Sequence, residues 1–166
     1  MPRTYKGKYP VKNVHKYKGN AEEVTYRSHW EKSVMLWLDN NSEVLQWNSE
    51  DFIVPYYYDV DKMWHKYHVD FWIKFKNGTV LLVEVKPKKQ TQPPKTKSPR
   101  SKRALNEAFT WVKNRNKWEA ANKIALDNGY KFVIWTEEEL TKMGILKKQT
   151  GKLKKLKPLR PFKKKS

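Results

Sequence analysis

At 166 residues and 20.0 kDa the chain is long enough for one domain with a sizeable core and basic ends, and its 36 Lys and Arg against 17 Asp and Glu give a net charge of +19, a field that recruits polyanions, nucleic acid foremost. Cysteine is absent, which excludes disulfides, thiolate metal sites and a thiol nucleophile, so any metal must sit on oxygen or imidazole. No run approaches the roughly 18 apolar residues of a membrane span, and Met1-Pro2-Arg3-Thr4-Tyr5-Lys6 lacks the apolar stretch of a signal peptide, so the expectation is an intracellular chain with no membrane partner.

Residues 1–20 mix Lys, Gly, Pro and Tyr without helical or strand period and read as an irregular basic arm. Over 26–38 the residues Trp30, Val34 and Leu38 recur at helical spacing, with Ser28 placed as an N-cap. Residues 44–47 and 52–58 are rich in aromatic and β-branched side chains and predict strands, the second bent or ended near Pro55. A turn follows at 59–62. Residues 65–75 predict one continuous strand, Asn77-Gly78 a two-residue hairpin turn, and 79–86 the returning strand. Residues 87–103, broken by Pro and crowded with Lys and Arg, read as a basic loop; 104–128 form a long helix stopped at Gly129, followed by a strand at 131–135 and a short helix at 137–143. From Lys147 onward ten basic residues and no acid make a tail. This order implies an α/β domain over 21–146 with a mixed central β-sheet flanked by helices, between a basic arm at 1–20 and a basic tail at 147–166.

Side chains alternate along a strand, so Glu84 and Lys86 share one face while Leu81, Val83 and Val85 take the other. A carboxylate and an ammonium at the end of an apolar strand are costly to bury unless they pair or meet a metal and a phosphate. Asp70 is a lone acid in the apolar run Val69-Asp70-Phe71-Trp72-Ile73, and the hairpin lays it beside Glu84. Two carboxylates there suit Mg²⁺, with Mn²⁺ expected to substitute: Asp70, Glu84 and the Val85 carbonyl are the candidate ligands, leaving positions for a phosphate oxygen and the attacking water. Lys86 is the candidate for orienting that water or offsetting charge on the phosphate.

Asp70, a hairpin, then Glu84-Val85-Lys86 resembles the signature of the PD-(D/E)XK nuclease superfamily, in which an Asp and an E-x-K lie on adjacent strands. Tyr26-Arg27-Ser28-His29-Trp30-Glu31 looks like the acid-bearing first helix of that fold. His65-Lys66-Tyr67-His68-Val69-Asp70-Phe71 resembles the motif of one subgroup, the head completion nucleases of tailed phages, related in pattern to transposon-end nucleases. Val69 stands where the superfamily name has Pro. The resemblance implies a restriction-endonuclease-like core and an Mg²⁺-dependent endodeoxyribonuclease with little sequence specificity. It also implies Glu31 as an accessory acid, a role in processing DNA ends during head completion, phage portal or head proteins as partners, and residence in the virion or infected host cytoplasm.

Several residues carry two readings. Ser28-His29-Trp30-Glu31 is also a capping box, so Glu31 is a candidate both for helix cap and for the metal shell. Lys88, Lys89, Lys95, Lys97, Arg100, Lys102 and Arg103, directly after Lys86, are candidates for holding double-stranded DNA through its phosphates, as is Lys117 on the long helix; a solvated loop and a solvated helix lysine are the plain alternatives. Glu50 ends a strand and is a lesser candidate; His65 and His68 stay outside the core site. A non-catalytic DNA-binding plug protein is the rival reading, and the intact acids argue against it. The sequence is silent on oligomeric state.

Overall fold

A computed structural model describes residues 5–148; the basic tail expected over 147–166 lies outside the described residues apart from Lys147 and Lys148. In chain order the strands and α-helices are β1 (Gly7–Lys8), β2 (Thr25–Tyr26), α1 (His29–Asn40), β3 (Val44–Ser49), β4 (Ile53–Tyr58), β5 (Met63–His68), β6 (Phe71–Phe75), β7 (Val80–Val85), α2 (Lys102–Asp127), β8 (Lys131–Trp135) and α3 (Glu137–Lys142), with short 3-10 turns at Val14–Lys16 and Lys88–Thr91. The central sheet runs β3-β6-β7-β8: β3 and β7 pair antiparallel with β6, and β8 adds in parallel to β7. The sheet is mixed and flanked by helices, as the order of elements predicts.

Alternation on these strands sorts two cores. Trp47, Phe71, Ile73 and Val83 point to the side of α1 and α3, joining Val34, Leu38 and Leu140. Trp72, Val80 and Leu82 point to the other side, against Ala121 and Ala125 of α2 and against Val54, Tyr56 and Tyr67 of a two-stranded ribbon, β4–β5. β7 therefore has apolar side chains on both faces and a neighbour on each edge, which makes any charge it carries expensive.

Four expectations change. The run 65–75 is two strands, β5 and β6, because the chain bends at Val69 and Asp70. Ser49 pairs with Phe71 and Ile53 with His68, so three residues, 50–52, oppose two, 69–70. The extra residue is a bulge, and Glu50 takes the left-handed conformation, φ +59°, that accommodates it. β4 continues through Pro55, since a two-stranded ribbon has an unpaired side toward which a nitrogen without a proton can lie. The β6–β7 turn holds three residues, with Gly78 N–H donating to Phe75 C=O at 3.0 Å and Gly78 at φ +88°.

Residues 5–20 are not a free arm. Tyr9 and Tyr17 enter the core around Trp47, and β1 pairs with β2. They are fastened by a fully buried carboxylate at the end of α1: Asp39 accepts from Tyr9 Oη (3.1 Å), Lys12 N (2.8 Å) and Asn13 N (2.9 Å). The Lys16 Nζ in turn donates to the carbonyls of Leu38 (2.9 Å), Asp39 (3.1 Å) and Asn41 (2.7 Å), acceptors left over at the helix terminus. No period announces this segment because its contacts are single side chains reaching a distant helix end.

Candidate active site

The bend at Asp70 lies beside the carboxyl end of β7. Asp70 Oδ2 accepts from Val85 N at 2.8 Å, which sets it next to Glu84. Glu84 is buried, 6 % exposed, and both its oxygens are engaged: Oε1 with Lys86 Nζ at 3.2 Å, Oε2 with the Tyr67 hydroxyl, which donates to it. Glu84 and Lys86 thus pair on the face that alternation assigns them, and the Lys86 N–H donates to Trp135 C=O of β8 at 3.1 Å, tying the strand end to its parallel neighbour.

Burial raises Asp70 well above the usual carboxylate range, and the charges of Glu84 and Glu31 raise it further against the pull of the Val85 amide and Lys86. Burial also pushes the Tyr67 phenol up, helped by Glu84, so Tyr67 is a neutral donor. Lys117 is turned toward this cluster from α2, its Nζ 5.3 Å from the Tyr67 ring centroid and 5.9 Å from that of Tyr56. Burial lowers its pKa, with Lys86 and Lys113 acting the same way and Glu84 and Asp70 opposing them.

Glu31 approaches from the other layer. Ser28 Oγ caps α1 by accepting from Glu31 N at 3.1 Å, but the Glu31 carboxylate bonds to Arg27 N at 2.8 Å, one residue before the position a capping box would use. Burial raises Glu31 first, and Glu50 and Glu84 raise it further, so it belongs to the same electrostatic cluster while holding the helix start. Glu50 joins through its backbone, its N–H donating to Asp70 C=O at 3.2 Å, and its side chain pairs with Arg27 Nε at 3.1 Å.

The donor set suits a hard divalent cation. Two carboxylates are brought together, burial resists the ionisation of Asp70, and a cation offsets that cost. Among the described residues no group of three His, Cys, Asp or Glu forms a metal cluster. A two-carboxylate site is what Mg²⁺ accepts, since it retains several waters.

The loop cations divide. Lys89, Lys95, Lys97, Arg100 and Lys102 are exposed, on the 87–101 segment and the first turn of α2. Lys88 Nζ is paired with Glu138 at 2.6 Å while its N–H donates to Glu137, and Arg103 Nε pairs with Glu107 at 3.0 Å. Tyr67 is the residue that the strand pattern hides. A continuous strand over 65–75 would put Tyr67 and Asp70 on opposite faces; the bend turns Tyr67 and Val69 to the same side as Trp72.

A family model described as TnsA-like endonuclease N terminal matches residues 41–137, which contain Asp70, Glu84, Lys86 and Lys117. The chain belongs to the TnsA-like endonuclease family. The head completion nuclease of Enterobacteria phage T4 is 41% identical over 144 residues, covering 84% of this chain and 96% of that protein. The mixed sheet fits the restriction-endonuclease-like core expected of the TnsA-like domain, and the acid-bearing hairpin lies inside the matched span.

Proposed function

We propose that this TnsA-like chain is an Mg²⁺-dependent endodeoxyribonuclease that cuts double-stranded DNA with little sequence preference during phage head completion, in the virion or infected host cytoplasm, with head or portal proteins as further partners. The observation that carries the reading is the half-buried Asp70 set beside the buried Glu84 carboxylate, with Lys86 bonded to Glu84, at the end of an interior strand. The family match and the name of the phage relative agree with it.

On this reading Asp70, Glu84 and the Val85 carbonyl hold Mg²⁺ or Mn²⁺, which supplies Lewis acidity toward the phosphodiester. Lys86, held in place by its pairing with Glu84, offsets the charge that builds on the phosphate during attack by water. Tyr67 fixes the Glu84 carboxylate in one orientation. Glu31 keeps its acid close while anchoring α1. The exposed cations from Lys89 to Lys102 hold the duplex by its phosphates, so binding weakens steeply with salt; Lys88 and Arg103, already paired, contribute less.

The test is nicking of a supercoiled plasmid in Mg²⁺ by the intact chain, Asp70→Ala and Lys86→Ala, with circular dichroism to confirm folding. The parent should nick and both variants should not. Equal nicking by all three overturns the reading, and salt-sensitive binding without nicking favours the plug protein.

A further inference from the structure

Among the described residues, nothing is packed on one face of the β4–β5 ribbon. Directly opposed residues of an antiparallel pair share a face, and the pairs Val54–Tyr67 and Tyr56–His65 point inward to α2. The intervening pairs, Ile53–His68, Pro55–Lys66 and Tyr57–Trp64, point outward and are exposed. Trp64 is 70% exposed, unusual for the largest apolar side chain, and its ring meets Tyr57 edge-on at 5.7 Å.

The outward stripe starts at the proposed catalytic centre. His68 Nδ1 bonds to Glu50 C=O at 2.9 Å, and Glu50 N–H bonds to Asp70 C=O. From Asp70, Trp64 is six residues away, at most about 20 Å along the strand. Lys66 is the cation among the outward pairs and lies between Ile53–His68 and Tyr57–Trp64, while Asp51 lies near His68 at the inner end of the stripe. The two acids of the turn are committed elsewhere, Asp59 to Asn116 of α2 (2.9 Å) and Asp61 to His65 of the inward pairs.

We infer that the outer face of the ribbon is a platform for an unpaired DNA strand leading into the Asp70–Glu84 cluster, with bases stacking on Trp64 and Tyr57 and a phosphate meeting Lys66. The inference rests on the endonuclease reading above and narrows its substrate to DNA carrying a single-stranded stretch. Exposed rings beside a cation are the recurring equipment for gripping single strands, because every unpaired base offers a stacking face that a duplex conceals. A protein partner or a second copy would use the apolar pairs but gains nothing from the lysine between them or from a stripe that begins at the carboxylates.

Fluorescence anisotropy in EDTA, where cleavage is silent, with a blunt duplex and the same duplex bearing a single-stranded overhang tests this on the full chain. The parent should bind the overhang duplex about tenfold tighter than the blunt one. Trp64→Ala should abolish that preference without changing blunt binding, Trp64→Phe should restore most of it, and Lys66→Ala should reduce it. Trp64 is too exposed for these changes to unfold the chain. An overhang preference unaltered in Trp64→Ala overturns the platform, as does equal loss on both duplexes. So does a shift of sedimentation mass in Trp64→Ala with both affinities intact, which would assign the face to a second copy. Plasmid nicking by the parent and by Asp70→Ala separates the two readings: cleavage that survives Asp70→Ala removes the catalytic reading alone, while a parent that nicks in an Asp70-dependent way but binds both duplexes equally, or keeps its overhang preference in Trp64→Ala, removes the platform alone.

Discussion

Two buried charge clusters, one at the end of α1 and one at the end of β7, use the same parts for opposite ends. Each has an Asp, a Lys and a Tyr whose hydroxyl donates to a carboxylate. At α1, Asp39 receives three donors and Lys16 reaches three carbonyls, so every charge meets its complement in protein. At β7, two carboxylates share one close cation, and Asp70 has a single donor among the described residues, leaving Oδ1 without one. The difference teaches that burial of charge is not itself the mark of a site. The mark is an imbalance the protein leaves for something else to complete.

Breaking each cluster in turn should separate their roles. On the proposed chemistry, Asp70→Asn should lower plasmid cleavage by about a thousandfold or more, some 4 kcal/mol of barrier, while melting at or above the parent temperature because the like-charge contact with Glu84 is gone. A melting temperature several degrees below the parent would make Asp70 a structural residue. Asp39→Ala should do the reverse: urea denaturation should show a loss of about 3 kcal/mol, from donors left buried without an acceptor, with cleavage per folded molecule intact.

Tyr67→Phe sharpens the contrast further, since it removes one hydroxyl and little volume. Cleavage or Mg²⁺ affinity should fall about ten- to a hundredfold, with stability changed by less than about 1 kcal/mol. Tyr9→Phe, the matching change at the other cluster, should leave cleavage unchanged. The smallest expected effect is a pH dependence of the metal-free protein. Asp70 has a folded-state pKa above its unfolded one, so the folded chain keeps a proton that the unfolded chain releases. Its contribution is fullest below the ordinary carboxylate range and is lost as pH rises from there through the raised value, by at most about 1.4 kcal/mol per pH unit. Melting curves across that window should show the slope in the parent, its reduction in Asp70→Asn, and its offset by added Mg²⁺.

The sequence made the β7 cluster partly legible and the α1 cluster not at all. Glu84 and Lys86 follow from strand alternation, and Asp70 from the turn signal at Asn77-Gly78, because those rules are local. Tyr67 depends on a bulge whose Glu50 is no residue one would choose for positive φ, so local pattern alone runs the strand straight through. Asp39 and Lys16 are joined across 22 or more residues by single hydrogen bonds, and no periodicity encodes such a link. Lys117 stands on α2 among many lysines and is distinguished only by the rings beneath it.

The bend between β5 and β6 also works as a ruler. Because side chains reverse direction at every residue, the orientation of Trp64 is set by how many residues separate it from the bend, not by its own identity. Removing one cross-strand pair between Trp64 and His68 would turn the tryptophan in toward α2, while removing two would bring it back outward on a shorter ribbon. Relatives are therefore free to change the reach of this ribbon in steps of two pairs without disturbing Asp70, and a change of one pair would invert its surface.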